Sequence, residues 1–371
     1  MRADAWDAIV VGAGPAGSAL ACRLRPRHRV LLLERTLRHA PCPRIGESLP
    51  GAARVLLQAH GAFARFSEAG HAERGASVSQ WDSAAPVWFD TLRDPNGPGW
   101  HLDRDRFDAD LRHSAVAAGT RLLDACGPLR VRHDGDGWQV FDEATRRIHC
   151  SRVLVDASGR SAAIVRQLGL ARRVEDTLIC LHAFLPAQAG DDDRSTRVCA
   201  DANGWWYSVR LPRGWRVLAF HLDADDAELQ ALRIPEAFLR KARRHDLLAE
   251  VLPASITVAV HARPAGSAVT DRTALSKAPP GFYAIGDAGL AFDPIASQGL
   301  FHALASAESA ANAIARDAAR EPFLDEMDAV HRHYRRRFHD TYAGPQRYRD
   351  SAFWARRQPP APLPHPALAL R

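Results

Sequence analysis

Side chains able to move a proton are sparse along the strand-like segments of this 371-residue chain, and no Ser/His/Asp signature or His/Cys cluster frames them. The candidates are His182, Tyr207, His221 and His261, each of which also reads as an ordinary packed sheet residue. A histidine of normal pKa near ~6.5 becomes a base only where geometry brings it within hydrogen-bond reach, so no catalytic base is named. Glycines and carboxylates say more. Gly12-Ala13-Gly14-Pro15-Ala16-Gly17 follows the apolar run Ala8-Ile9-Val10-Val11, and far downstream stands Gly286-Asp287-Ala288-Gly289-Leu290-Ala291-Phe292-Asp293-Pro294-Ile295-Ala296-Ser297-Gln298-Gly299. Both segments have the composition of phosphate- and sugar-binding turns. Two half-sites remote in sequence imply one large dinucleotide.

The first half-site needs a strand before it and a helix after it. Residues 8–11 supply the strand, and Ser18-Ala19-Leu20-Ala21-Cys22-Arg23-Leu24 continues as a helical pattern. Gly12 permits the tight turn, Gly14 lets a pyrophosphate approach bare backbone, and Gly17 allows helix and strand to pack closely. The helix start offers amide donors and the positive end of its dipole. A second strand, His28 to Leu33, ends in Glu34 beside Arg35, and this carboxylate is placed to accept from a ribose hydroxyl.

Composition supports a soluble, two-domain reading: 25% charged, 46% hydrophobic, net charge +6. The basic residues are scattered, which gives nucleic-acid binding no support. Only Lys241 and Lys277 are lysine among 49 basic residues, which thins the candidates for lysine-dependent chemistry. Six widely spaced cysteines (Cys22, Cys42, Cys126, Cys150, Cys180, Cys199) contain no CxxC and are expected to be free and mostly buried; no metal is expected. Cys42, just ahead of Arg44, is either a thiol near the site or a small packed side chain. A core strand begins almost at once, and no apolar run reaches membrane-span length, so no signal peptide or transmembrane segment is expected and a cytoplasmic location is the default.

Further along, Ser48 to His60 reads as a helix with a capping serine, Pro50 in its first turn and Gly61 beyond its end. The loop Pro43-Arg44-Ile45-Gly46-Glu47-Ser48 then sits at its mouth. Residues 101–111 precede a helical face of Phe107, Leu111 and Ala115, and strands are expected at 129–133 and 138–141 around Asp134-Gly135-Asp136-Gly137. Arg152-Val153-Leu154-Val155-Asp156-Ala157-Ser158-Gly159 reads as a buried strand entering a tight turn. Asp156 there either orients a ribose or only caps the turn. Strands at 177–186, 197–200, 205–211, 216–222 and 256–263, with 77–81 and 86–92, form a separate antiparallel sheet, and 235–248 is a helix. Alternation sends Trp205 and Tyr207 to one face and Trp206 to the other. Residues 281–285 return to the nucleotide domain, and a small-residue helix opens at Gly299-Leu300. From 331 to 357 a solvated amphipathic helix is expected, and Pro359 to Pro366 reads as an extended tail.

Taken in order, these motifs resemble the FAD-dependent monooxygenases and halogenase-like flavoproteins of the para-hydroxybenzoate hydroxylase fold. The resemblance rests on Gly12 to Gly17 with Glu34, Arg44-Ile45-Gly46-Glu47-Ser48, Asp103-Arg104 to Leu111, Asp156-Ala157-Ser158-Gly159, and Gly286-Asp287 through Gly299. It implies an α/β chain with a glutathione-reductase-type, Rossmann-like FAD-binding domain, an antiparallel-sheet substrate domain and C-terminal helices. The expected bounds are 1–75, 98–170 and 268–325 for the FAD domain, 76–97 and 171–267 for the substrate domain, 326–358 for the C-terminal helical segment and 359–371 for the tail. In such families an arginine like Arg104 or Arg106 contacts the ADP part, and Arg44 and its loop lie near the ribityl chain and pyrophosphate. Asp287 would accept from the ribitol, Gly299 would open the helix aimed at the flavin N1 and O2 edge, and Pro294 would flank the ring where oxygen adds at C4a.

The Arg44 to Pro50 loop, the Asp293 to Gly299 segment and the tail Tyr348 to Trp354 look most like the halogenase-type and quinone-cofactor maturation branches. Tryptophan halogenases require a lysine after the Gly-Glu-Ser loop and a WxWxIP motif. No lysine precedes Lys241 here, and Tyr207 to Pro212 keeps only the final apolar-proline pair, so halogenation is disfavoured. The expected activity is hydroxylation of a phenol or indole by reduced FAD and O2 through a C4a-hydroperoxide. Electrons would come from NADPH or NADH, or from a flavin reductase partner. The substrate is either a small aromatic molecule or a tryptophan of a precursor protein, with the basic stretch 331–357 as a docking surface; a geranylgeranyl-reductase-type FAD reductase is the third reading.

Overall fold

The computed structural model describes residues 4–25, 27–35, 44–91 and 94–358. Its first sheet is seven-stranded. Four parallel strands, Arg121–Leu123, Val30–Leu33, Asp4–Val11 and Arg147–Asp156, are joined by Phe282–Ala284, which pairs with the last residues of Arg147–Asp156. The near-continuous apolar runs in these strands follow from burial on both faces. The first half of Arg147–Asp156 instead carries the antiparallel strands Trp138–Asp142 and Leu129–His133, so one long strand serves two kinds of pairing. Helix Pro15–Leu24 crosses over between Asp4–Val11 and Val30–Leu33, and the alanine-rich helix Gly299–Ala315 packs on it.

A second seven-stranded sheet runs in the order His261–Pro264, Leu178–Pro186, Trp215–Asp223, Gly204–Leu211, Thr196–Asp201, Ser77–Gln80, Val87–Phe89. It was expected to be antiparallel throughout; it is mixed, because Thr196–Asp201 and Ser77–Gln80 pair in parallel. Its outer face is covered by Pro235–Ala242 and Asp246–Ala249, two short helices where 235–248 reads as one, and His245 is extended between them. Trp206 packs there against Phe220 and Phe238. Of the expected strand 256–263 only residues 261–263 pair with the sheet, within the strand His261–Pro264.

Two further expectations are corrected. Ser48 does not cap a helix: Ser48–Leu49 pairs with Trp100–His101, and the helix begins at Ala53. The tertiary pairing of the fully buried Leu49 overrides the local cap signal. The 331–357 region is not simply a solvated helix either. Helix Glu321–Tyr342 and the short Ala352–Ala355 bring Tyr334, Phe338, Tyr342, Phe353 and Trp354 into a core with Trp205 and Phe292. Cys42 and the Pro359 to Pro366 stretch lie outside the described residues; the other five cysteines are free, with Cys150 partly exposed. No described helix is long and apolar enough to cross a membrane.

The C-terminal segment is fixed by charge as well as packing. Arg357, 4% exposed, bridges Asp176 and Asp223 at 2.7 Å each, and its guanidinium lies 3.9 Å from the Phe353 ring centroid. Replacing one member of a buried ionic cluster leaves the others uncompensated, which costs about 3–5 kcal/mol. Arg357→Met is therefore expected to lose roughly that much stability in denaturant unfolding, and an unchanged midpoint would contradict the assignment.

Candidate active site

The glycine turn is dictated by close approach. A Cβ on Gly12, whose φ is +108°, would stand 2.3 Å from the Ala157 carbonyl oxygen, and one on Gly17 would stand 1.9 Å from the Gly12 carbonyl oxygen. Gly14 differs, because a Cβ there meets nothing within 4 Å and would project into open space. That space is a cavity of about 920 Å³, lined at this end by Gly12, Gly14, Pro15, Ala16, Glu34 and Arg35. Glu34 Oε2 accepts from the Ala13 amide at 2.8 Å, so this carboxylate also braces the turn. Gly17 packs behind the cavity wall.

Asp156 is not at the cavity. Its carboxylate is fully buried and takes the amides of Ser158, Ile164 and Val165 and the Ser158 hydroxyl at 2.6–2.9 Å, leaving no capacity for a ribose. It caps Ala163–Gln167 and presents Ser158, Gly159 and Arg160 to the cavity instead. Helical periodicity separates the two arginines: Arg104 lines the cavity and donates to the Gly46 carbonyl at 2.6 Å, while Arg106 lies off it, paired with Asp110 at 2.7 Å. Arg44 is also off the cavity, held by Asp108 at 2.8 Å. Ser48 lines it. In the downstream segment Asp287, Pro294, Gly299 and Leu300 line the cavity, whereas Gly286 packs on Ala16 and gives its amide to Ser306. The 17-residue helix Gly299–Ala315 therefore directs its positive dipole end into the void.

The other end of the same cavity is roofed by the second sheet. Cross-strand pairing aligns Arg263, Cys180, His221 and Trp205 in one row, and all four line the cavity. The next row is His261, His182, Ala219 and Tyr207, from which only Tyr207 reaches the cavity. His182 and His261 fall outside because they sit two residues further along their strands. His221 stacks on Trp205 with ring centroids 3.7 Å apart, and burial pushes its pKa down to about 3, so the ring is neutral. Burial raises the carboxyl of Glu47 and the hydroxyl of Tyr207, which face one another. Cys180 is likewise held as a thiol.

Sequence reasoning missed the floor of this chamber. Trp205 Nε1 donates to the Tyr342 hydroxyl at 3.0 Å, which donates to Asp293 Oδ2 at 2.9 Å, while Asp293 Oδ1 accepts from the Ile295 amide. Asp293 before Pro294 is a cap pattern readable in the sequence; Tyr342 carried no signal, since the contact spans the whole fold. No group of His, Cys, Asp or Glu able to hold a metal occurs among the described residues.

A glycine cradle on a parallel sheet, continuous with a chamber under a second sheet, defines an FAD-dependent oxidoreductase. The residues fit the cofactor, because Gly14 and Gly299 leave open the space that a side chain would fill. The chain belongs to the tryptophan halogenase family, whose model matches residues 59–369. The FAD-dependent oxidoreductase LodB of Marinomonas mediterranea is 27% identical over 370 residues, 98% of this chain and 99% of its own. Among solved structures, the myxobacterial chondrochloren halogenase CndH superposes with a TM-score of 0.79 at 24% identity, over 96% of this chain and 87% of that one. The peptidyl tryptophan dihydroxylase QhpG, essential for tryptophylquinone cofactor biogenesis, gives 0.74 at 24% identity, over 95% and 78%.

Three outcomes follow from the site. Gly14 has φ −75° and ψ −173°, which alanine adopts freely, so Gly14→Ala is expected to fold normally yet lose about 1–3 kcal/mol of FAD affinity, read by flavin retention. Gly17→Ala, by contrast, should not fold. Burial pushes Asp293 up to about 7, above the ~3.9 of an unfolded aspartate. Its contribution is then fully present at low pH and is lost as pH rises through about 7. The parent protein should lose melting temperature relative to Asp293→Asn between roughly pH 4 and 7; a parallel pH dependence of the two would contradict this.

Proposed function

We propose that this enzyme is an FAD-dependent monooxygenase that inserts one oxygen atom of O2 into an electron-rich aromatic ring, indole- or phenol-like. The observation that carries this reading is the single void joining the glycine cradle to a chamber walled by Trp205, Tyr207, Phe292 and Pro294. When bound and reduced by NADPH, NADH or a flavin reductase, FAD supplies the electrons and the site at which O2 is activated. The chain's own part is to position a ring and manage charge. The Trp205–His221 stack offers a flat wall, burial keeps the His221 ring neutral, and the start of Gly299–Ala315 favours negative charge beside it.

Halogenation is disfavoured in this reading because neither Lys241 nor Lys277 lines the cavity. Reduction of an isoprenoid fits less well, since the chamber carries Glu47, His221 and Arg263 rather than purely apolar walls. A second reading places the ring on a tryptophan of a precursor protein. Its support is the likeness, over nearly the whole chain, to a peptidyl tryptophan dihydroxylase.

The test is turnover under ¹⁸O2 with indole, free tryptophan and a tryptophan-containing polypeptide, with NADPH, NADH or a flavin reductase as donor. The expected product carries one ¹⁸O atom per oxidation on its ring. Product formed without oxygen, or a halogenated product when halide is present, would overturn the proposal.

A further inference from the structure

Among the described residues, four arginines line the cavity: Arg35, Arg104, Arg160 and Arg263. Arg35 stands beside Glu34 at the glycine end. Arg104 is held by Asp108 at 3.1 Å and by the Gly46 carbonyl at 2.6 Å. Arg160 donates to the Gly266 and Phe292 carbonyls at 2.6 and 2.7 Å and lies 3.5 Å from Asp287. Arg263, at the chamber end, differs. It is exposed, and among the described residues no hydrogen bond or ion pair joins its side chain to the protein.

Its place is set by the roof. His261–Pro264 is the edge strand of that sheet and is exposed along its length, while Arg263 opens the row that continues through Cys180 and His221 to Trp205. Three strand spacings separate the two ends of that row, about 14 Å between their backbones. A cation therefore stands on the solvent side of the chamber, with the aromatic wall inward of it. Its neighbours do not neutralise it. Cys180 is held as a thiol, and burial lowers His182 to about 4, which keeps that ring uncharged. Burial likewise raises the Glu47 carboxyl, which is hydrogen-bonded with Tyr207, and Asp293 is taken by Tyr342 and the Ile295 amide. One guanidinium matches one carboxylate in both charge and shape.

We propose that Arg263 is a specificity-determining residue that receives a carboxylate carried on the side chain of the aromatic substrate, holding it on the solvent side of the chamber while the ring lies towards Trp205. The substrate class is then an aromatic acid. The proposal rests on the oxygenase reading for the ring, but it concerns binding. It is tested on the oxidised, FAD-loaded enzyme without turnover, so failure of oxygenation and failure of recognition give separate results.

Indole-3-acetate and indole-3-acetamide, which keeps the shape without the charge, are titrated against the flavin absorbance at low and high salt. The parent enzyme should prefer the acid by roughly fivefold or more at low salt, and the preference should shrink as salt rises. Arg263→Gln should bind the amide as the parent does and lose the preference while retaining FAD. Arg263→Lys should keep part of it, because the charge stays and the planar fork is lost. A preference kept by Arg263→Gln overturns the proposal, as does loss of FAD from that variant, which would assign the arginine to the cofactor. Absence of a preference in the parent, or of any response to either ligand, overturns it too.

Discussion

The structure depends on one close crossing, where the end of Asp4–Val11, the start of Pro15–Leu24 and the turn after Arg147–Asp156 meet with no room for a side chain. Gly17 lies against the Gly12 carbonyl, and Gly12 against that of Ala157. Because these contacts are backbone on backbone, no rotamer change relieves an added methyl. The same crossing fixes the direction of the helix N-terminus and presents Gly14 to the cavity. Asp156 secures it from the other side by capping Ala163–Gln167, so a residue of the binding signature acts through the shape of its turn and not through contact.

The roof of the chamber is joined to this cradle by the C-terminal helices. Trp205 belongs to the roof, Asp293 to the segment leading into Gly299–Ala315, and Tyr342 hydrogen-bonds to both. Arg357 closes the same unit by gathering Asp176 and Asp223, which bound the strands on either side. A helix that reads in isolation as solvated and basic is therefore the clamp between the two sheets. Its aromatic face supplies the apolar area, and Arg357 beyond its end is held by Asp176 and Asp223 together.

Burial sets the protonation states in the chamber. His221 stays neutral, and the Glu47 carboxyl and the Tyr207 hydroxyl are held towards their uncharged forms, all for want of water. Glu47, Tyr207 and His221 thus present uncharged hydrogen-bonding groups to the chamber, beside Arg263.

Local pattern determined a good deal. The spacing of Gly12, Gly14 and Gly17, the strand alternation that separates Trp206 from Trp205 and Tyr207, and the helix opening at Gly299 are all set within a few residues, where chain geometry alone decides. What depended on partners distant in the chain was decided by the tertiary structure. Ser48 joined a strand because Trp100–His101 lay beside it; Arg104 and not Arg106 met the cavity because the helix is rotated by its packing; and His221, not His182 or His261, reached the chamber because sheet register set which row faced it. Types and spacings fix conformation over a turn or a strand, but the choice among equivalent side chains is made by which face is buried, and only the assembled fold sets that.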